Sequence, residues 1–429
     1  MTRKLPALAV FLLVATALPA VAGTRLTYVI NGSPKAIYWP QASLPLQYKI
    51  DQRVVNAMPE AKQVIERAFA AWAGVTDGNL QFQDDGVANA LSARNDSRNV
   101  ITLSDDLFAN QGCIALTTYT FDTSGSTPGR LTDADIQLDA SLFRGGYNAE
   151  MAIEHEIGHM IGLDHSAVLS AIMYPYVSKG AGSPVLDSDD RVAVATSYPK
   201  ADDSFAGGTL SGRVVGDGGG IFAAQVVALS EQGEPVATAL TNSVGEFTLS
   251  GLPNGRYRVY AEPLDGPVDV SKLEGVWRQA KVQSFPTQFL DGDPIEVTNG
   301  KVIGNLIVSS SGVVRLNPKW VGVTSANGDL SLSSTPISLK PGDNVTLAVA
   351  GDGFTSSMTQ FEVLNPAFRR TSDFTWSGNY VSANYAIAPN ASSTSAVILV
   401  KSGNETATLT GALRVRGAQG PTKSRAVRR

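Results

Sequence analysis

The sequence predicts a multidomain protein: an α+β domain followed by two β-sandwich domains. Three observations carry this. At 429 residues the chain is longer than one hydrophobic core can serve. Up to about Lys200, helical apolar periods interleave with short alternating runs. Beyond it the texture changes to apolar runs split by Gly, Asn and Pro, in a chain with 41 Gly, 22 Pro and only 17% charged residues.

Residues 1–22 read as a signal peptide. Arg3 and Lys4 precede an apolar run from Leu5 to Leu18, and Ala20, Val21 and Ala22 put small residues at the cleavage positions. The run is too short to span a bilayer, and no later one is long enough, so no membrane span is expected. The mature chain is expected to be secreted, extracellular or associated with the cell envelope. A formal net charge of -5 argues against a nucleic-acid partner, which needs a basic face. Cys113 is the only cysteine, so no intrachain disulfide forms.

The first domain is placed at residues 23–200. Leu44–Ile50 alternates as a strand does. Pro59–Ala73 follows a helical period, with Val64, Ala68, Phe69 and Trp72 on one face and Pro59 suited to the first turn. Strand candidates follow at Leu80–Gln83, Val100–Leu103, Cys113–Phe121 and Ala134–Leu138. Helices are expected to begin near Glu150 and near Asp187. A cut after about Asp203 is expected to leave this domain folded. Residues 207–311 and 312–416 are the two β-sandwiches, read as binding or spacer modules open to an extracellular-matrix or cell-surface ligand. Residues 417–429, with Lys423, Arg425, Arg428 and Arg429, read as a basic disordered tail.

Chemistry concentrates in one stretch. Residues 155–166 read HEIGHMIGLDHS, and the chain's three histidines all lie here. Random placement would give this spacing on the order of one time in thirty thousand. On a helix His159 lies one turn above His155, so both rings reach one zinc ion (Zn2+) at about 2.0–2.1 Å. Glu156 projects from the same side but too far round to be a ligand, which suits a base acting on metal-bound water. Gly162 lets the chain leave the helix, and His165 swings back as third ligand. Three protein ligands leave a position open, as catalytic rather than structural zinc sites do.

This pattern resembles the metzincin clan, and its flanks resemble the matrixins, the family of the matrix metalloproteinases. Ser166 follows the third histidine. Ala171-Ile172-Met173-Tyr174-Pro175 resembles the family's Met-turn, which implies Met173 as an apolar floor beneath the metal. Leu186-Asp187-Ser188-Asp189-Asp190 resembles the start of its last helix, whose paired aspartates would brace the Met-turn and the mature N-terminus. Gly112-Cys113-Ile114-Ala115-Leu116-Thr117 resembles its edge strand, which implies that the backbones of Ala115 and Thr117 pair with substrate. The resemblance implies a metzincin-type catalytic domain: a secreted zinc-dependent endopeptidase that hydrolyses internal bonds of protein or peptide substrates. A non-catalytic adhesin or scaffold is the alternative, and the intact Glu156 speaks against it.

The departures also matter. Leu116 stands where many matrixins carry a histidine for a structural zinc. Asp122, Asp133 and Asp135 are candidates for a calcium (Ca2+) site, with solvated loop carboxylates as the favoured reading. Little sequence separates Ala22 from Leu44, so the family's inhibitory propeptide is expected to be absent. Cys113 reads as a small strand residue rather than a thiolate masking the metal. The stretches around Ser211-Gly212, Gly245-Glu246-Phe247 and Gly255-Arg256-Tyr257 resemble carboxypeptidase-regulatory or transthyretin-like modules. Lys340-Pro341-Gly342-Asp343 ahead of Val345–Ala350 resembles an immunoglobulin-like sandwich.

Overall fold

The computed structural model describes residues 23–30, 33–107, 109, 113–179, 184–200, 207–281, 283–292, 294–324, 328–355 and 357–416. The stretches read from sequence as a signal peptide (residues 1–22) and a basic tail (residues 417–429) lie outside these residues.

The first domain opens with a hairpin of β1 (Thr27–Ile30) and β2 (Ser33–Ala36), ahead of the first strand expected from sequence. Then come β3 (Leu46–Asp51), α1 (Gln52–Ala57), α2 (Ala61–Ala73), β4 (Phe82–Ala88), β5 (Asn99–Ser104), β6 (Ala115–Phe121) and β7 (Leu131–Asp139). The metal-motif helix α3 (Ala149–Met160) and the last helix α4 (Ser188–Ser197) complete it. The sheet order is β4-β3-β5-β7-β6. Its strands are parallel except β6, which runs antiparallel to β7 at the open edge.

Helix α2 buries the face its periodicity marks out, with Val64, Ile65, Ala68, Phe69 and Trp72 in the core. Each such side chain stabilises the fold by roughly 1.5–3 kcal/mol. Trp72 also donates its indole N–H to the Glu154 carbonyl of α3 at 2.8 Å, so the packing of α2 fixes the motif helix. Asn148 caps α3 by accepting from the Met151 amide. Gly158 is required where it stands: a Cβ there would lie 2.1 Å from the Met173 sulfur. Gly162 ends the helix at φ +86°, and its Cβ would strike the Ile37 carbonyl at 2.5 Å.

The second domain is a sandwich. Its strands are β8 (Gly208–Gly216), β9 (Gly219–Gly220), β10 (Gln225–Ser230), β11 (Pro235–Leu240), β12 (Glu246–Leu252), β13 (Gly255–Glu262), β14 (Gln288–Phe289), β15 (Ile295–Val297) and β16 (Val302–Ser309). One sheet orders β11-β10-β13-β14 with β15 also on β13; the other orders β12-β8-β16 with β9 on β8. Leu210, Val214, Phe247 and Leu249 of one sheet meet Val226, Ala228, Ala237 and Val259 of the other in a shared core. The third domain pairs a six-stranded with a four-stranded sheet around Leu347, Val349, Val381, Ile398 and Leu413.

The first domain does not stand clear of the other two. Leu169 and Tyr174, beside the metal motif, are part of the third domain's core. The Leu169 amide donates to the Thr410 carbonyl, Tyr174 donates its hydroxyl to the Ser334 carbonyl, and Arg414 donates to the Ser170 carbonyl. From the second domain, the Thr238 amide and hydroxyl both donate to Asp189. The expectation of a self-sufficient first domain does not include these contacts, and a cut near residue 203 would remove the partners of Leu169 and Tyr174. No helix among the described residues is long and apolar enough to cross a membrane.

Candidate metal centre

Helix α3 places His155 and His159 one turn apart, and the turn at Gly162 returns His165 to them. The Nε2 of His159 lies 3.1 Å from that of His155 and 3.2 Å from that of His165. Each Nδ1 faces a backbone carbonyl: Ile172 for His155 at 2.7 Å, Leu163 for His159 at 2.8 Å and Lys272 for His165 at 2.5 Å. A ring nitrogen facing a carbonyl carries the proton there, so each Nε2 lone pair is free and the three converge. Burial, and for the two helical rings the neighbouring histidines, lowers all three imidazoles from their ordinary value, His155 to about 3. Three neutral imidazoles with converging lone pairs fit a cation such as zinc. They are the one group of three or more ligating side chains close enough to share an ion among the described residues.

Glu156 points beside this cluster without joining it. Its carboxylate is buried, which pushes its pKa up to about 7, while hydrogen bonds from Thr117 pull the other way. Thr117 Oγ1 lies 2.7 Å from Glu156 Oε2 and 2.9 Å from the Glu156 carbonyl oxygen. Met173 lies beneath the helix against Gly158, and the Met-turn amides of Ile172 and Met173 donate to Asp190 at 2.7 and 3.1 Å.

Ala115 and Thr117 both lie on the edge strand β6 with buried side chains. Cys113 falls two residues before β6 begins, half-buried, where burial and then the Glu156 charge push its thiol up. The calcium candidates are not gathered into a site. Asp122 pairs with Arg130 at 2.9 Å, Asp135 accepts from the Arg94 and Val100 amides, and Asp133 accepts from those of Asp96 and Arg98. Asp189 accepts from Ser166 and Thr238, while the Gly23 amide donates to the Thr238 carbonyl at 2.8 Å.

Sequence reasoning missed two partners. Thr117's hydroxyl was legible in principle, since alternation along β6 sends residues 115 and 117 to the face that meets α3. The Lys272 carbonyl had no signal, because any residue offers one.

The fold and this cluster define an α+β domain with a helix-borne histidine pair and a third histidine after a glycine turn. Residues 38–199 match the family described as Matrixin, and residues 209–269 match the carboxypeptidase regulatory-like domain. Metalloendoproteinase 5-MMP of Arabidopsis thaliana is 27% identical over 194 residues, 44% of this chain and 49% of the relative. Metalloendoproteinase 1 of Glycine max is 30% identical over 154 residues, 32% of this chain and 45% of the relative. Karilysin of Tannerella forsythia is 36% identical over 89 residues, 21% of this chain and 18% of the relative. The chain thus spans about half or less of the length of these curated relatives. It carries a matrixin domain followed by a carboxypeptidase regulatory-like domain and a further β-rich region, and a matrixin domain implies zinc.

Proposed function

We propose that this chain is an exported zinc-dependent endopeptidase acting on extended polypeptides, with His155, His159 and His165 as metal ligands and Glu156 as general base. The observation that carries the reading is the convergence of three imidazole Nε2 atoms beside a buried carboxylate that is not one of the ligands. Zinc held there would supply Lewis acidity, polarising the scissile carbonyl and acidifying the attacking water. Burial disfavours the charged form of Glu156, which would strengthen it as a base that takes that water's proton and returns it to the departing amine. Thr117 keeps the carboxylate aimed through its hydroxyl. The free edge of β6 offers unpaired backbone groups, and an extended peptide would add to it along Ala115 and Thr117. Export rests on the basic, apolar and small-residue order of residues 1–22.

The test is hydrolysis of a peptide library by wild type and Glu156→Gln, with and without a strong chelator. Wild type should cut internal bonds and lose activity to the chelator. Glu156→Gln should keep its zinc and lose about 10²–10⁴-fold in turnover. Near wild-type turnover in that variant would overturn the assignment of the base.

A further inference from the structure

His155 and His159 take their outer partners from the first domain itself, the Ile172 and Leu163 carbonyls. His165 does not. Its Nδ1 faces the carbonyl of Lys272, 107 residues away in the second domain. This is also the ligand with the least support of its own, because it lies beyond the end of α3 on the loop that follows Gly162. A second bond reaches the same loop from the same place. Asp164, 1% exposed, accepts the His165 amide on Oδ1 at 2.7 Å and the Glu274 amide on Oδ2 at 2.9 Å.

The segment that brings Lys272 and Glu274 here leaves β13 at Glu262 and returns at β14. It is built as a strap rather than a slack loop. Asp269 caps a short 3-10 turn, Val270–Lys272, by accepting the Ser271 amide. Leu273, 1% exposed, is set with Val270 and Ala280 in an apolar cluster with Leu240 and Leu264 of the second domain. Trp277 donates its indole N–H to the Thr241 carbonyl at 3.3 Å. On the other side Gly275 lies against the N-terminal hairpin so closely that a Cβ would meet Thr27 Oγ1 at 2.2 Å.

We infer that residues 269–276 of the second domain are a positioning strap for the metal centre, fixing the tautomer and orientation of His165 through the Lys272 carbonyl and its backbone through Asp164. The inference rests on the three histidines being metal ligands, as proposed above. Its physical basis is the coupling between a ligand ring and the acceptor on its far nitrogen. Without that acceptor the Nδ1 proton has no partner, the ring turns freely, and the tautomer that offers Nε2 to the metal loses its advantage. Loss of such an outer partner typically weakens metal binding about 10–100-fold. The second domain would then be part of the metal site and not only a module attached to it.

The test uses the full chain and approaches the strap from both ends. Leu273→Ala loosens its anchor in the second domain. Asp164→Asn replaces one of two acceptor oxygens by a donor and breaks the clamp from the first domain. Zinc affinity is read by chelator competition, and the ligand field by the visible spectrum of the cobalt(II)-loaded protein. Both variants should bind zinc about 10–100-fold more weakly, with an altered cobalt spectrum, and Leu273→Met, which refills the anchor pocket, should restore both. Wild-type affinity and spectrum in Asp164→Asn, or in a folded Leu273→Ala, would overturn the inference while leaving the metal centre intact. Wild type that takes up neither metal would instead overturn the metal-centre reading, and the strap with it.

Discussion

Thr117 Oγ1 faces both a carboxylate oxygen and the backbone oxygen of Glu156, and a hydroxyl has one proton to give. When Glu156 is ionised the hydroxyl donates to Oε2. The backbone carbonyl is its alternative acceptor, so the bond to Oε2 is the one that favours the ionised carboxylate. Burial raises the Glu156 pKa and the Thr117 bonds lower it, so Thr117→Val should raise it further. A base must be ionised to act, so the acid limb of kcat/KM should move to higher pH. A bound dication lowers wild type and variant alike, so the difference between the two profiles is the readout. Turnover should fall about 10–100-fold, the value of one hydrogen bond to a charged group, and Thr117→Ser should restore it. An unmoved limb would remove Thr117 from the mechanism. Gly158 makes a second prediction at this scale. Gly158→Ala drives a methyl into the Met173 sulfur and towards Trp72, and should cost about 1–3 kcal/mol in a urea unfolding series.

The Met-turn is held by one carboxylate. Asp190 accepts the amides of Ile172 and Met173 and also that of Asp187, closing the capping box of α4. Because the Ile172 carbonyl in turn receives the His155 ring, Asp190 lies two hydrogen bonds from the first histidine of the cluster. Asp190→Ala would leave three buried amides unpaired, each worth about 1–3 kcal/mol. It should lower the thermal midpoint steeply and the zinc content with it, and wild-type zinc occupancy in a folded variant would break that link. Much of this element was legible in the sequence. The spacing of His155, His159 and His165 needs only helical geometry and one glycine, and Asp187 sits where a cap should. The helical period of Val64, Ala68, Phe69 and Trp72 likewise marked the buried face of α2. The hairpin of β1 and β2 was not legible, since Thr27–Ile30 and Ser33–Ala36 are too short to set a period. The sequence predicts a strand from Cys113, two residues ahead of the observed start of β6, because Cys113 is as apolar as a strand residue and composition does not report where pairing begins.

At the scale of the whole molecule, the change of texture after Lys200 reads as a linker between independent units, and periodicity carries no information about how folded units dock. The contacts between domains are built from residues that look ordinary in sequence. Tyr174, fully buried, donates its hydroxyl to the Ser334 carbonyl at 2.5 Å, and Leu169 shares the third domain's core. Asp189 joins Ser166, directly after the third ligand, to Thr238 of the second domain. The Met-turn thus lies between the histidine cluster and two β-sandwiches, and these residues cannot be exposed without uncovering apolar side chains or leaving polar groups unpaired. Domains joined in this way unfold together when their interface is worth as much as their separate stabilities. The full chain should therefore show one calorimetric transition, coincident with metal release followed by a chromogenic chelator. Tyr174→Ala deletes a buried aromatic at the joint, which costs about 3–5 kcal/mol in a packed core. It should either lower that single transition or split it in two, with metal release moving to the lower temperature. Separate transitions in wild type, with metal release at a temperature that Tyr174→Ala does not change, would mean that the first domain is stable on its own and that the docking adds nothing to it.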